Sequence, residues 1–464
     1  MVAPTDPADF SVGALLDGYR AGSLSPAEAW AAIERRIGAW EPTVRALYAY
    51  DPEGARRAAA DSTARWMRGA PLGALDGVPV TIKELIATAG TPVPLGTAAT
   101  PLDPATADAP AAARLREDGA ILFAKTTCPD FGMLSSGVSS FHPLTRNPWD
   151  PARNPGGSSS GAAAAAAAGY GPLHLGTDIG GSIRIPAAWT GLFGFKPSQG
   201  RVPVWPPYVG RCVGPMTRRV ADAAAAMPTL CRPDRRDGTS LPVLPVDWAE
   251  PPGDLAGLTV GLMLDAGCGL PVDLAVRAAT ERAAGWLADA GARIEPVPPV
   301  LTRAMLDGLD TFWRARFWAG IALLPPERRA RILPYVLAWA QAAEASSGPA
   351  VAAGFDQTFA MRDACGALFA RLDAVLSPVN PTPAPPAEWH SPLDDPDRPF
   401  EHIAFTMPWN MADQPAASVG VGILPDGMPV GVQIVGPRFG DALVFRLARV
   451  LEEARGGEPD WPVV

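Results

Sequence analysis

Residues 154–197 are dominated by Gly, Ser and Ala, and they restrict the possible fold more than any other part of the chain. Side chains this small cannot fill a core by themselves. They do allow backbones to approach closely, and the run 162–169 reads as a tight crossing where nothing larger fits. That packing role does not explain three consecutive serines, Ser158, Ser159 and Ser160. No charge occurs over 154–177, yet Pro172, His174 and the many glycines and alanines leave the stretch too weakly apolar to span a membrane. The core must come from the flanks. With 464 residues, 48% of them hydrophobic, the material suffices for one large α/β domain or for two domains. The 47 glycines and 53 prolines fall just short of a disordered composition and are read as loops of an ordered chain.

Helix and strand signals alternate along those flanks. Ser25-Pro26-Ala27-Glu28 is a capping box with Pro at the first helical position, and it opens an amphipathic run through Ile33 and Ile37. A second helix is expected over 52–67. The turn Leu75-Asp76-Gly77 leads into Val78-Pro79-Val80-Thr81-Ile82-Lys83, a short buried strand that ends in a lysine. Helix 111–118 and strand 121–124, which runs into Lys125, follow. Strand 259–263, helix 272–290 and strand 293–297 make a βαβ unit. Residues 301–353 read as helical and rich in aromatics. Strand 374–376 enters the proline-rich loop 378–386, and strand 431–435 with helix 442–454 closes the chain. This alternation predicts an α/β layered domain. The one candidate boundary, 232–257, is polar and proline-rich and reads as a surface excursion.

The 39 basic and 48 acidic residues leave a formal charge of −9, which argues against nucleic acid or an anionic membrane as partner. Five cysteines, Cys128, Cys212, Cys231, Cys268 and Cys365, lie far apart without a CxxC pair, so neither a disulfide framework nor a zinc site is expected. The start, MVAPTDPADF, lacks the apolar run of a secretory signal, and a soluble cytoplasmic protein is the expectation. Only three lysines occur, Lys83, Lys125 and Lys196, and the other 36 basic residues are Arg. A chain that uses Arg wherever a positive charge suffices keeps Lys where a proton has to be lost at attainable cost.

Three constellations compete for the chemistry. Gly157-Ser158-Ser159-Ser160-Gly161 satisfies the GxSxG pattern of a nucleophile elbow, but a loop rather than a strand precedes it, and only His390 and His402 lie late enough to serve it. A phosphate loop before an Ala-rich helix lacks the following GK[ST]. The third joins separate segments. Gly176-Thr177-Asp178-Ile179-Gly180-Gly181-Ser182-Ile183-Arg184 places a serine after two glycines whose amides can form an oxyanion pocket. Serine needs a base, and Lys83, at the end of an apolar strand, can supply one if desolvation lowers its pKa.

Gly156-Gly157-Ser158-Ser159-Ser160-Gly161, followed by the Gly176–Arg184 motif and Ile185-Pro186-Ala187, resembles the amidase signature family. The likeness extends to Gly77-Val78-Pro79-Val80-Thr81-Ile82-Lys83-Glu84, to Gly191-Leu192-Phe193-Gly194-Phe195-Lys196-Pro197, to Pro408-Trp409-Asn410 with Pro415-Ala416, and to Gly431-Val432-Gln433-Ile434-Val435-Gly436. The 24-residue interval from Ser158 to Ser182 agrees with it. The resemblance implies one large α/β/α domain over 1–464, a mixed sheet covered by helices. Within it lie N-terminal helices at about 8–68, a catalytic core at about 70–230 and a substrate-shaping region at about 300–355. It further implies Ser182 as nucleophile, Ser158 as a bridging serine after a cis peptide, and Lys83 as base. Ile179, Gly180 and Gly181 would form the oxyanion hole, with Thr177, Asp178 and Arg184 in support. Two residues depart from the family pattern, Ser160 where Gly is common and Asp413 where a small residue is common.

The expected reaction is hydrolysis of a C(=O)–N bond through an acyl-enzyme, without metal or organic cofactor. The expected substrate is an aryl or hydrophobic small-molecule amide, since aromatics concentrate in Trp205-Pro206-Pro207-Tyr208 and at Phe312, Trp313, Phe317 and Trp318. In a helix Trp313 and Phe317 share a face, whereas Phe312 and Trp313 point apart. A carbamate (urethanase) or ester substrate is the alternative, and the A subunit of a tRNA-dependent amidotransferase is a further one. A monomer or homodimer is expected.

Overall fold

The computed structural model describes residues 5–463. Eleven strands form one sheet: β1 (Leu47–Tyr48), β2 (Pro79–Lys83), β3 (Ile121–Thr126), β4 (Leu173–Asp178), β5 (Phe193–Lys196), β6 (Cys212–Thr217), β7 (Thr259–Leu262), β8 (Arg293–Pro296), β9 (Ala374–Pro378), β10 (Ala416–Ile423) and β11 (Pro429–Val435). Their order is β1-β3-β2-β4-β6-β5-β10-β11-β9-β7-β8. β2 runs parallel to β3 and β4, and β7 to β8 and β9, while the central β6-β5-β10-β11 stretch is antiparallel. The sheet is therefore mixed.

Helices cover both faces, and side chains alternate between them as the pleat requires. Val432 and Ile434 pack with helices Val220–Leu230, Leu274–Asp289 and Asp441–Ala454, whereas Val435 faces Arg184–Thr190, Arg303–Ile321 and Pro334–Gln341 on the other side. The expected capping box forms with both hydrogen bonds, and helices Pro26–Val44 and Pro52–Met67 begin where the sequence places them. The small-residue run becomes helix Ser160–Ala167, buried along its whole length. Gly161 explains the composition: a Cβ there would lie 2.4 Å from Ala46 O and Thr127 N.

The structure departs from the sequence reading in three places. β4, β5, β6 and β10 depart from the expected strands; they are largely buried, so no polar alternation marks them, and an internal glycine breaks the apolar run of each. Residues 301–353 are not one helical stretch. Pro326, Pro334 and Pro349 each open a new helix, dividing it into Arg303–Ile321, Pro326–Arg329, Pro334–Gln341 and the start of Gly348–Leu368. The segment 232–257 divides nothing, as expected, but it is more than a surface excursion, since Trp248 and Leu255 bury into the same core as the sheet. No described helix is long and apolar enough to cross a membrane, and none of the five cysteines is paired among the described residues.

Candidate active site

β2 and β4 are parallel neighbours, so their carboxyl ends open on the same side of the sheet, where ligand sites of α/β proteins commonly form. β2 ends in Lys83, and β4 ends in Thr177 and Asp178. The turn before helix Ser160–Ala167 brings Ser158 to the same point, with a cis peptide between Gly157 and Ser158.

Lys83 is fully buried, and its Nζ donates to Ser158 Oγ (2.8 Å), Thr177 Oγ1 (2.9 Å) and Ser159 Oγ (3.1 Å). Burial pushes its pKa down to about 8, and the nearby Arg211 charge acts in the same direction. Ser159 explains part of the serine run. Its Oγ accepts from Thr177 N and donates to Thr177 O, both at 3.2 Å, so its proton is committed to the backbone. Ser159 is also fully buried, which removes it as a nucleophile elbow. Ser158 and Ser182 instead line one cavity of about 640 Å³. Ser182 Oγ makes no hydrogen bond among the described residues, while its carbonyl accepts from Ser159 N at 3.2 Å.

The loop from Ile179 to Ile183 is held from behind. Asp178 and Arg184 are both fully buried and paired at 2.9 Å. Burial alone would raise the Asp178 carboxyl, but Arg184 and the Asn410 amide overcome it and hold it well below the usual carboxylate range. Asp178 Oδ1 accepts from the Gly181 amide at 2.8 Å, and Thr406 Oγ1 donates to Gly180 O at 2.6 Å. The peptide between Gly180 and Gly181 is thereby fixed at both ends. Gly181 has φ +123°, and a Cβ there would lie 2.5 Å from Thr406 Oγ1, so only glycine fits. The Gly181 amide, expected to face an oxyanion, points to Asp178. The amides of Ile179 and Gly180 donate to no group among the described residues.

Trp313 and Phe317 line the cavity together from helix Arg303–Ile321, and Pro206 and Tyr208 line it from a loop. Phe312 turns away to pack on Phe355 at 5.1 Å, as its helical position requires. Neither Ser160 nor Asp413 lines the cavity. Lys125 shares a pKa lowered to about 8 by burial, but its amine is spent on Ile86 O and Thr88 Oγ1. Lys196 donates to Pro197 O at 3.1 Å. No histidine lines the cavity: His390 stacks on Tyr335, and His402 is buried. Glu84, Cys128 and His142 cluster behind Lys83, but the Glu84 carboxylate already accepts from the amides of Leu95 and Gly96 and bonds His142 and the Cys128 thiol.

Residues 28–445 match the family model described as Amidase. The chain belongs to the amidase signature family. A solved bacterial aryl acylamidase of the amidase signature family superposes with a TM-score of 0.88, at 30% identity over 96% of each chain. The A subunit of the glutamyl-tRNA(Gln) amidotransferase of Chloroflexus aurantiacus is 34% identical over 92% of this chain and 93% of its own. The acylamidase of Rhodococcus erythropolis is 33% identical over 93% of each. Amidase signature enzymes such as these acylamidases are amide C–N hydrolases.

The sequence reading did not single out Ser159, Thr406, Arg211 or Arg316. Asn410 and Gln433 lay inside motifs it quoted, without roles. Gln433 accepts from Arg184 Nη1 at 2.6 Å.

Proposed function

We propose that the protein hydrolyses small amides with an aryl or hydrophobic group through an acyl-enzyme on Ser182. Neutral Lys83 takes the Ser158 hydroxyl proton as Ser158 takes the proton of Ser182. Ser182 Oγ then attacks the carbonyl carbon. Negative charge developing on the carbonyl oxygen is met by the Ile179 and Gly180 amides, on a loop that Asp178 and Thr406 hold through the Gly180–Gly181 peptide. The proton returns through Ser158 to the leaving amine, and water repeats the sequence to release the acid. One observation carries the reading: the buried Lys83 amine lies 2.8 Å from Ser158 Oγ, at the wall of the cavity that Ser182 also lines. Trp313, Phe317, Phe131 and Phe400 in that wall support an aromatic or long apolar group.

The same machinery serves carbamates and esters, so the test compares anilides, aliphatic amides, aryl carbamates and esters on one preparation. Anilides or aryl carbamates should exceed acetamide and glutamine in kcat/KM; a preference for the small polar amides would reject the aromatic subsite. A fluorophosphonate should label Ser182, and labelling elsewhere or not at all would reject it as nucleophile. A second reading, the A subunit of an amidotransferase, is favoured by the relatives at 34% identity. It predicts glutamine hydrolysis that depends on a second protein chain.

A further inference from the structure

Two guanidinium groups face the candidate active-site cavity with no acid to answer them. Arg211 follows the loop that carries Pro206 and Tyr208, and Arg316 sits one turn below Gly320 on helix Arg303–Ile321; all five residues line the cavity. Arg211 makes one side-chain hydrogen bond among the described residues, from Nη1 to Pro206 O at 3.3 Å. Arg316 forms neither an ion pair nor a side-chain hydrogen bond there, and its guanidinium lies 3.7 Å from the Tyr208 ring centroid. Stacking holds the group in place and leaves its N–H edge free. Neighbours on the same helix show what is missing: Arg314 pairs with Asp310 at 2.7 Å, and Arg303 with Glu401 at 2.8 Å. The chain has 48 acidic residues, but no Asp or Glu lines this cavity.

Two cations brought together in a partly desolvated site repel each other and lose hydration, a cost an acid would ordinarily offset. Burial and the Arg316 charge hold Arg211 down to about 10, so it stays protonated at neutral pH. The arrangement has unspent N–H donors and positive charge beside an apolar wall. We propose that the substrate is an amide that also carries a carboxylate, with the amide at Ser182, the carboxylate on Arg211 and Arg316, and the apolar body against Trp313 and Phe317. This rests on the amidase reading above and narrows its substrate class. A carboxylate matches the guanidinium fork in charge and geometry.

The test uses acetanilide, 4-acetamidobenzoate and N-phenylsuccinamate, which place no carboxylate, one on the amine side and one on the acyl side. At least one carboxylated anilide should exceed acetanilide in kcat/KM by about tenfold, chiefly through KM. In the double variant Arg211→Gln, Arg316→Gln that ratio should fall towards one, and Arg211→Lys, Arg316→Lys should keep part of it. Equal or better turnover of acetanilide by the wild type, or a ratio the double variant leaves unmoved, overturns the proposal. Calorimetry on Ser182→Ala separates the two readings. If no amide is hydrolysed, tighter and arginine-dependent binding of a carboxylated anilide still supports the anion subsite, and equal binding of all three compounds rejects it.

Discussion

Lys83 and Lys125 are both buried with pKa values lowered to about 8, so the lowered pKa does not tell them apart; their contacts do. Lys83 reaches a hydroxyl on the cavity wall, and Lys125 reaches a backbone carbonyl. Lys83→Ala and Ser158→Ala should each lower kcat by about 10³-fold or more, and the double variant should be scarcely worse, because groups in one relay lose function together. A base depressed to about 8 is mostly protonated at pH 7 and mostly neutral at pH 9. Activity should therefore climb with pH through about 8, and a profile that falls steadily above pH 7 on folded protein would contradict a lysine base. In the proposed mechanism Thr406 serves as a positioning residue, acting through the Gly180 carbonyl to which it donates. Thr406→Val should lower kcat about tenfold with little change in KM, less than the loss of a direct oxyanion donor, and Thr406→Ser should restore it.

Among elements, Arg184 is the junction. From the first position of helix Arg184–Thr190 its guanidinium bonds Asp178 at the end of β4, Asn410 in helix Met407–Met411, Gln433 in β11 and the Thr406 carbonyl. Arg184→Met strands the buried Asp178 charge, so urea unfolding should show a loss of about 3–5 kcal/mol. Asp222 governs a second junction. Its Oδ1 accepts the Val12 amide at 2.7 Å, tying helix Val12–Ala21 to helix Val220–Leu230. Burial pushes its pKa up to about 7, against roughly 3.9 in an unfolded chain. The folded protein thus holds a proton that the unfolded chain has released. The stability this contributes is complete below about 4 and lost as pH rises through about 7. Melting temperatures at pH 5 and pH 8 should differ more in the wild type than in Asp222→Asn.

At the scale of the whole molecule, one sheet unites the chain across 232–257. β5, before that segment, pairs with β10, after it, and Arg184 crosses the same divide to Asn410 and Gln433. Val243 and Leu244 are exposed in it, at 74% and 49%, which makes it the place for a protease to enter. Limited proteolysis there should leave two fragments that co-elute in gel filtration and retain activity until denaturant is added. Fragments that separate under native conditions would show two independent units.

The sequence by itself determined those features whose cause is local. The capping box, the strand ending in Lys83 and the shared face of Trp313 and Phe317 follow from spacing along the chain, and the structure holds all three. The serine and glycine motifs, read through a family resemblance, located Ser158, Ser182 and the loop between β4 and the next helix. Burial hides alternation in all the central strands; β4, β5, β6 and β10 escaped because glycines at 176, 194, 214 and 420 also interrupt the apolar run that betrays β2. Arg211 and Arg316 escaped for another reason. Among 36 arginines, nothing in the sequence marks the two that line the cavity without a carboxylate beside them. Whether an arginine is paired depends on what the fold places beside it, four residues away for Arg314 and Asp310 or about a hundred for Arg303 and Glu401. The Gly181 amide likewise turns to Asp178 because Arg184, Asn410 and Thr406, distant in sequence, fix the loop from behind. Composition and spacing set which groups the chain owns; only tertiary structure decides which of them are left unsatisfied, because an unmet charge or donor is a property of its neighbours in space.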